Sequence, residues 1–258
     1  TPLTARVIVN HVWLRHFGEP LVETVDDFGL RAKPPAQQIL LDHLAADFVE
    51  NGWSFRYLHR LIVTSKTYRL SSNSTGPDVK NEANDPNNRF YWRMNAQRMD
   101  AQVVRDSLLH LAGALDLTLG GPSLNPDDAV SRRSIYFKHS RDQQDKFLKT
   151  FNDADHLQCY RRSESIVPQQ ALALSNGKVP IEMAAKIAGL INGEDFVGMA
   201  FELLLGRRPD VAERRECEMT LAELEAVATK AKKPNPIKRA RRGLVHALLN
   251  HNDFVSIR

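Results

Sequence analysis

Six charged residues interrupt otherwise apolar blocks of the sequence, at positions where helices are expected to end or loops to begin. They are Asp26, Asp27, Arg105, Asp106, Arg161 and Arg162. Side chains at such positions can point into a shared pocket, and buried Asp and Arg must pair because an unpaired buried charge is strongly destabilising. We therefore expect the six to converge on one partly buried polar cluster. A closed cluster would only join loops to helices, whereas an open one would leave an Arg to bind an anionic group.

The densest set of potential metal ligands lies next to the last of these residues. It consists of Asp153, Asp155, His156 and Cys159, which combine carboxylate, imidazole and thiolate groups. Their spacing matches no closed zinc motif, no HExxH occurs, and Asp is also common in loops because it forms turns. We therefore predict that the chain binds no metal. Cys159 and Cys217 could pair, or both could stay reduced.

Several classes of function lack their sequence signatures. The phosphate-binding patterns GxGxxG and GxxxxGK[ST], the GxSxG nucleophile elbow and the CxxCH haem attachment are all absent. A basic run over residues 230–242 contains no acidic residue, but it also contains no aromatic side chain that could stack on bases. The net charge of +4 is small for 258 residues, so we expect no nucleic-acid partner.

The composition is that of a folded globular chain. Apolar residues make up 42% and charged residues 26% of the sequence, which is enough for a substantial core and argues against disorder. No run of about 18 apolar residues occurs, so we expect no membrane span. The first residue is Thr and no charged-then-apolar leader follows it. Thr1 is therefore expected to be a cut end, either of a mature chain or of a piece of a longer protein.

Helical periodicity dominates the chain and would hold the polar residues in place. Apolar side chains recur at helical spacing in segments such as 36–50, 100–113, 180–191 and 209–230, and turn-forming residues separate these segments. The predicted fold class is mainly α, a compact multi-helix domain with a minor short β element. Residues 133–138 are the best candidate for that strand.

The same pattern suggests how the chain is divided. We expect a main helical domain over residues 1–176, with a polar loop at 71–88, and a C-terminal helical subdomain over 177–258 packed on it. Ser54, Asp100 and Asp195 stand where they could cap helices. Ten apolar residues are predicted to be buried together: Trp13, Phe17, Phe28, Leu41, Leu44, Phe48, Leu58, Leu61, Val104 and Leu108.

Ordered blocks of the sequence resemble the family called domain of unknown function 1553. The longest are ARVIVNHVWLRHFGEPLVETVDDFG at 5–29, LLDHLAADFVENGWSFRYLHRLIVTSKTYRLSS at 40–72, DPNNRFYWRMNAQRMDAQVVRDSLLHLAGALD at 85–116 and CYRRSESIVPQQALALSN at 159–176. The shorter blocks GGPS, RRSIY, LLGRRPD and ALLNHNDF occur in the family's order. The resemblance therefore extends over nearly the whole chain.

Individual residues also follow this family's pattern. Matching residues are Arg6, Asn10, Trp13, Asp27, Phe28, Gly29, Asp100, Arg105, Asp106, Arg162 and Gln170. Two positions depart from it: His11 stands where Arg is usual, and Gln102 stands where Glu is usual. The second departure weakens any scheme that needs a carboxylate in the first turn of that helix.

The resemblance implies a domain arrangement rather than a reaction. The family is abundant in planctomycete-type bacteria and typically forms the C-terminal end of long secreted proteins. A domain of unknown function 1549 precedes it, and often a c-type cytochrome domain. The resemblance thus implies that the chain is extracytoplasmic, either periplasmic or secreted, and has no cofactor of its own. Its partner would be an upstream domain of the same polypeptide, and the haem c would belong to an upstream domain. No reaction is established for the family, so no catalytic residue can be assigned from it.

Three classes of function remain open at this point. The leading one is an accessory or binding module of a haem-linked multidomain protein. The second is a hydrolase-like enzyme that acts on an extracellular polymer through an Asp/Arg cleft. The third is an interaction domain for a neighbouring secreted protein. A cleft lined by charged residues with shifted pKa values would favour the enzyme, and a flat surface with a large apolar patch would favour the protein partner.

Overall fold

The regular secondary structure of the chain is almost entirely helical in its computed structural model, which describes residues 2–72, 79–127, 131–142, 144–155, 157, 162 and 165–257. Its helices are α1 Pro2–Phe17, α2 Gln38–Glu50, α3 Phe55–Thr64, α4 Val79–Asn84, α5 Ala101–Leu111, α6 Lys146–Thr150, α7 Pro168–Asn176, α8 Lys178–Leu190, α9 Phe196–Leu205, α10 Val211–Lys230 and α11 Pro236–Leu248. The strands are β1 Gln97–Arg98 and β2 Ser256–Ile257, and short 3₁₀ turns cover Ser134–Tyr136 and Asn252–Val255. The predicted fold class, mainly α with a minor short β element, is confirmed.

The chain forms two compact units. The first unit comprises residues 1–98 and 256–258, and the second unit comprises residues 99–255. This division differs from the one expected after Asn176, because Leu174 on α7 and Ile187 on α8 are buried in the same core. The polar loop expected at 71–88 is also only partly a loop, since α4 forms within it, and residues 73–78 lie outside the described residues.

Three helices build the core of the first unit. Trp13 and Phe17 on α1 stack with ring centroids 4.1 Å apart, and Leu44 and Phe48 on α2 are buried in the same cluster. α1 ends where Gly18 takes a left-handed conformation, with φ at 77°, as a helix C-terminus commonly requires.

Polar residues inside this unit fix the chain that follows α1. The buried side chain of Asn10 donates to the carbonyl of Val22 at 3.1 Å and accepts from its N–H at 2.8 Å. Trp13 Nε1 donates to the Tyr91 hydroxyl at 2.8 Å. Two residues that match the family pattern, Asn10 and Trp13, therefore have structural roles here.

The predicted core is only partly correct. Val104 and Leu108 are fully buried, but in the core of the second unit. Phe28 and Leu61 are partly buried residues packed against the core of the first unit. The error arises because helical periodicity identifies a buried face without showing which core that face enters.

The second unit has the larger core. α8, α9 and α11 supply fully or almost fully buried side chains such as Ile187, Ala200 and Val245. α10 packs along α11 but exposes most of its polar surface, as its alternating charges predict. No helix among the described residues is long and apolar enough to cross a membrane.

The strand predicted at residues 133–138 is wrong. Tyr136 N donates to Arg133 O at 3.0 Å, which closes a 3₁₀ turn instead of an extended ladder. Only Phe137 makes an isolated bridge, to Leu124. The sheet lies elsewhere, where Gln97 pairs with Ile257 and Arg98 with Ser256 in antiparallel register.

Two of the three predicted helix caps are confirmed. The Ser54 side chain accepts from Tyr57 N, and the Asp195 side chain accepts from Gly198 N. Asp100 makes no side-chain cap hydrogen bond at the start of α5. Its carboxylate lies 3.7 Å from Arg162 Nε instead, and this ion pair competes with capping.

A bidentate ion pair ties α9, α10 and the chain's last 3₁₀ turn together. Arg207 donates to both carboxylate oxygens of Glu213 at 2.7 Å and, through Nε, to the buried Asp253 at 2.9 Å. Glu213 also completes a capping box with Asp210. The hydrogen bonds from Arg207 lower the pKa of Glu213 to about 2.

We predict that Glu213→Gln lowers the melting temperature at pH 7, and that this deficit shrinks as the pH falls. The folded-state pKa of Glu213 lies below its usual 4.5, so its stabilisation is fully present above that value and is lost as the pH falls toward 2. Thermal unfolding from pH 7 to pH 2.5 measures the effect, with the exposed α10 residue Glu223 changed to Gln as the matched control. A deficit that does not depend on pH would contradict the prediction.

Candidate functional site

One pocket in the described part of the second unit is lined by charged side chains of both signs. It has a volume of about 290 Å³ and lies between the start of α5, the segment 134–139, α6 and the chain that follows α6. Its carboxylates are Asp100, Asp145 and Asp153, and its basic groups are Lys138, His139 and Arg162. Apolar side chains, among them Val103 and Ile135, form the rest of the lining.

Local structure explains how these side chains reach the pocket. Asp145 caps α6, because its Oδ1 accepts from Leu148 N at 2.8 Å. α6 is short and ends at Thr150, with Phe151 as its C-cap, and Asn152 follows with a left-handed φ of 59°. This sharp change of direction places Asp153 at the pocket, directly after the helix.

Asp153 is the most deeply buried charge in the lining. Its side chain is only 7% exposed, and Oδ1 accepts from the Gln102 side-chain amide and from Ala154 N. Oδ2 has no hydrogen-bond partner among the described residues. His139 Nδ1 lies 3.2 Å from it, which brings the two groups together without a well-directed hydrogen bond.

Gln102 joins Asp153 to Arg162. The Gln102 amide nitrogen donates to Asp153, and the amide oxygen accepts from Arg162 Nη1 at 2.8 Å. Arg162 Nη1 also lies 4.0 Å from Asp153 Oδ1. A Glu at position 102 would set a second carboxylate against Asp153, whereas the amide offers a donor to one neighbour and an acceptor to the other.

A buried network stands behind one wall of this pocket. Arg105 Nη1 donates to Ser134 Oγ at 3.2 Å and to the Arg132 carbonyl at 3.0 Å. Ser134 donates from both N and Oγ to the Asp106 carboxylate, and Arg105 lies 3.3 Å from that carboxylate. The Arg105 guanidinium also lies 4.5 Å from the ring centroid of Phe137. Burial lowers the pKa of Arg105, and the neighbouring Asp106 charge opposes that shift.

The six residues expected to converge are distributed as follows. Arg105 and Asp106 belong to the closed network, and Arg162 lines the neighbouring pocket with its side chain 29% exposed. Asp26 and Asp27 lie exposed in the first unit, where Asp27 Oδ1 accepts from Gly29 N at 2.9 Å in a local turn. Arg161 lies outside the described residues. The convergence of all six stays a prediction.

The sequence analysis assigned other roles to some residues of this pocket and did not single out others. Asp153 was expected only as a member of the Asp/His/Cys set, and Asp100 only as a cap and as a residue that matches the family pattern. Asp145 and His139 were not singled out, although the Asp145 position three residues before Leu148 carries a capping signal. Nothing in the sequence indicates that His139 approaches Asp153, because that contact depends on the course of the loop between them.

The expectation about metals stays a prediction. His156 and Cys159 lie outside the described residues, and Asp155 accepts from Leu157 N at 2.7 Å in a turn. The described residues contain no group of three or more His, Cys, Asp or Glu side chains arranged to hold a metal ion. Cys217 forms no disulfide with a described residue, and burial raises its pKa.

The comparison with protein families decides what this chain is related to. The sequence model of a protein of unknown function, DUF1553, matches residues 1–221. The chain belongs to the DUF1553 family. Searches of curated proteins and of solved structures find no match. The matched region of this DUF1553 chain includes every residue of the pocket and of the Arg105 network, and the family description assigns no reaction to them.

We predict that Arg105→Met and Arg162→Met have very different effects on stability. Removal of Arg105 leaves the part-buried Asp106 carboxylate without its cation and should cost about 3 kcal/mol or more. Removal of Arg162 breaks one hydrogen bond and two longer, partly solvated ion pairs, and should cost less than about 1 kcal/mol. Urea unfolding of both variants measures the difference, with exposed Arg141→Met as the control. Equal losses at positions 105 and 162 would show that Arg162 also belongs to a closed network.

Proposed function

We propose that this DUF1553 chain is an accessory binding module of an extracytoplasmic multidomain protein that carries a c-type cytochrome domain upstream. The domain arrangement implied by the family supports the linkage, the location outside the cytoplasm and the upstream domain as partner. In this proposal the haem belongs to the upstream domain, and the module contributes the pocket between α5 and α6 as its binding site.

The pocket with its supporting network is the observation that carries the binding role. Because Arg105, Asp106 and Ser134 bond to one another behind the wall, the lining is held in place before a ligand arrives, which lowers the cost of binding. The Ser134 hydroxyl donates to Asp106 at 2.6 Å, so its proton forms a structural hydrogen bond.

The carboxyl groups with the most strongly lowered pKa values are Asp195 and Glu213. Both lie outside the pocket, in ion pairs with Arg side chains.

The hydrolase-like alternative is favoured by one contact, that between Asp153 and His139. A buried carboxylate next to a partly exposed imidazole is the arrangement by which enzymes orient a general base. In that reading His139 would take a proton from water and Arg162 would face the developing negative charge. The substrate would be an extracellular polymer held in the same pocket.

The domain linkage is tested on the full-length polypeptide in its source cells. An antibody raised against this chain should detect a polypeptide longer than the chain itself, in the periplasmic or secreted fraction, and the same band should keep covalently bound haem after denaturation. A cytoplasmic enzyme of the source cell serves as the fractionation control. A haem-free band confined to the cytoplasm would contradict the proposal.

The binding and hydrolase roles are separated by a turnover assay. We expect the purified chain to release no reducing ends from soluble polysaccharides beyond a heat-inactivated sample. If it does release them, the alternative requires that His139→Gln abolish the release while His110→Gln, on the exposed side of α5, leaves it unchanged. Release that depends on His139 in this way would replace the accessory role with the enzymatic one.

A further inference from the structure

The pocket between α5 and α6 contains a buried hydrogen-bond acceptor that no described residue satisfies. The Asp153 side chain is more than nine-tenths buried, yet Oδ2 finds no donor among the described residues. A buried polar atom without a partner is destabilising and calls for a physical explanation. In a residue that lines a pocket, an explanation is that a ligand supplies the missing donor or moves His139 into a proper hydrogen bond with Oδ2.

The charges around Asp153 restrict what that ligand can be. Two basic side chains, Lys138 and Arg162, face Asp100, Asp145 and Asp153 across the same lining, and the His139 imidazole lies beside them. A carboxylate or sulfate group of a ligand would meet the carboxylates of the lining and could itself donate no hydrogen bond to Oδ2. A cationic ligand would meet Arg162 and Lys138. A neutral group that both donates and accepts, such as a hydroxyl, suits acidic and basic neighbours alike.

The size of the pocket and its apolar surface restrict the class of ligand further. A volume of about 290 Å³ lies at the lower end of the range that small-molecule sites occupy. Ile135, which is 59% exposed, lines the pocket, and so does Val103 on α5. These side chains offer an apolar surface to the C–H face of a ring, next to polar groups that can bond its hydroxyls.

We propose that the pocket binds a neutral polyhydroxylated ligand, such as a saccharide unit, through hydroxyl groups that bond Asp153, His139 and Arg162. The proposal rests on the assignment of this pocket as the module's binding site, and it adds the ligand class. Asp153 selects for a hydrogen-bond donor, and Gln102 holds the Asp153 and Arg162 side chains in place. The mixture of acidic and basic groups in the lining disfavours charged analogues.

The test uses ligand-observed NMR and calorimetry on the whole chain. The probes are neutral trisaccharides of glucose, galactose and mannose, with uronic-acid, O-sulfated and amino trisaccharides as charged comparators. We expect at least one neutral trisaccharide to bind more tightly than its charged counterparts. Its affinity should change little between about 0.05 and 0.5 M salt, because no net charge is screened.

Variants locate the binding and test the role of Asp153. Asp153→Asn keeps the shape but turns one acceptor into a donor, and should weaken binding by about tenfold or more, whereas exposed Asp142→Asn should not. If Asp153→Asn melts early, Ile135→Arg gives a second test, because this exposed residue lines the pocket. Leu119→Arg, exposed and outside the lining, is its control.

The outcomes separate this inference from the proposed function. Tighter binding of a charged trisaccharide that Ile135→Arg abolishes would overturn the ligand class and keep the pocket as the binding site. No binding of any neutral trisaccharide, or full affinity in Asp153→Asn, would also overturn the inference. The cell-fractionation and haem experiment judges the domain linkage independently of these results.

Discussion

The buried guanidinium of Arg105 is the interaction on which the organisation of the second unit's pocket depends. The Asp106 carboxylate, Ser134 Oγ and the Arg132 carbonyl offset the cost of burying this charge. Those partners come from α5 and from the segment before Phe137, so satisfying one side chain joins two stretches of chain that are far apart in sequence. The contacts that satisfy Arg105 also hold the pocket wall in place.

The same constraint explains why two arginines near α5 behave differently. Arg105 donates to the Arg132 carbonyl and Ser134 Oγ inside the protein. Arg162 reaches the pocket lining from a loop and bonds to Gln102, which also bonds to Asp153. Arg105 therefore belongs to the scaffold, and Arg162 belongs to the pocket lining. The two meet through α5, where Gln102 and Arg105 lie within one helical turn.

Much of the fold could be predicted from the sequence, because helical periodicity and capping residues act over short distances. Ser54 and Asp195 cap their helices as expected. The failures involve long-range choices: Val104 enters a different core from Trp13, and the segment at 133–138 gives up extended structure because Asp106 binds Ser134. The contact between His139 and Asp153 could not be foreseen for the same reason, since no local rule fixes the course of a loop.

The pairing of β1 with β2 makes the first unit discontinuous in sequence. Residues 97–98 pair with residues 256–257, and the whole second unit lies between these two segments in the sequence. During synthesis the ribosome therefore releases the partner strand of the first unit last, after more than 150 further residues have emerged between Arg98 and Ser256. The second unit can fold as one continuous stretch, whereas closure of the first unit's sheet is a late, non-local step that carries the entropic cost of a long loop.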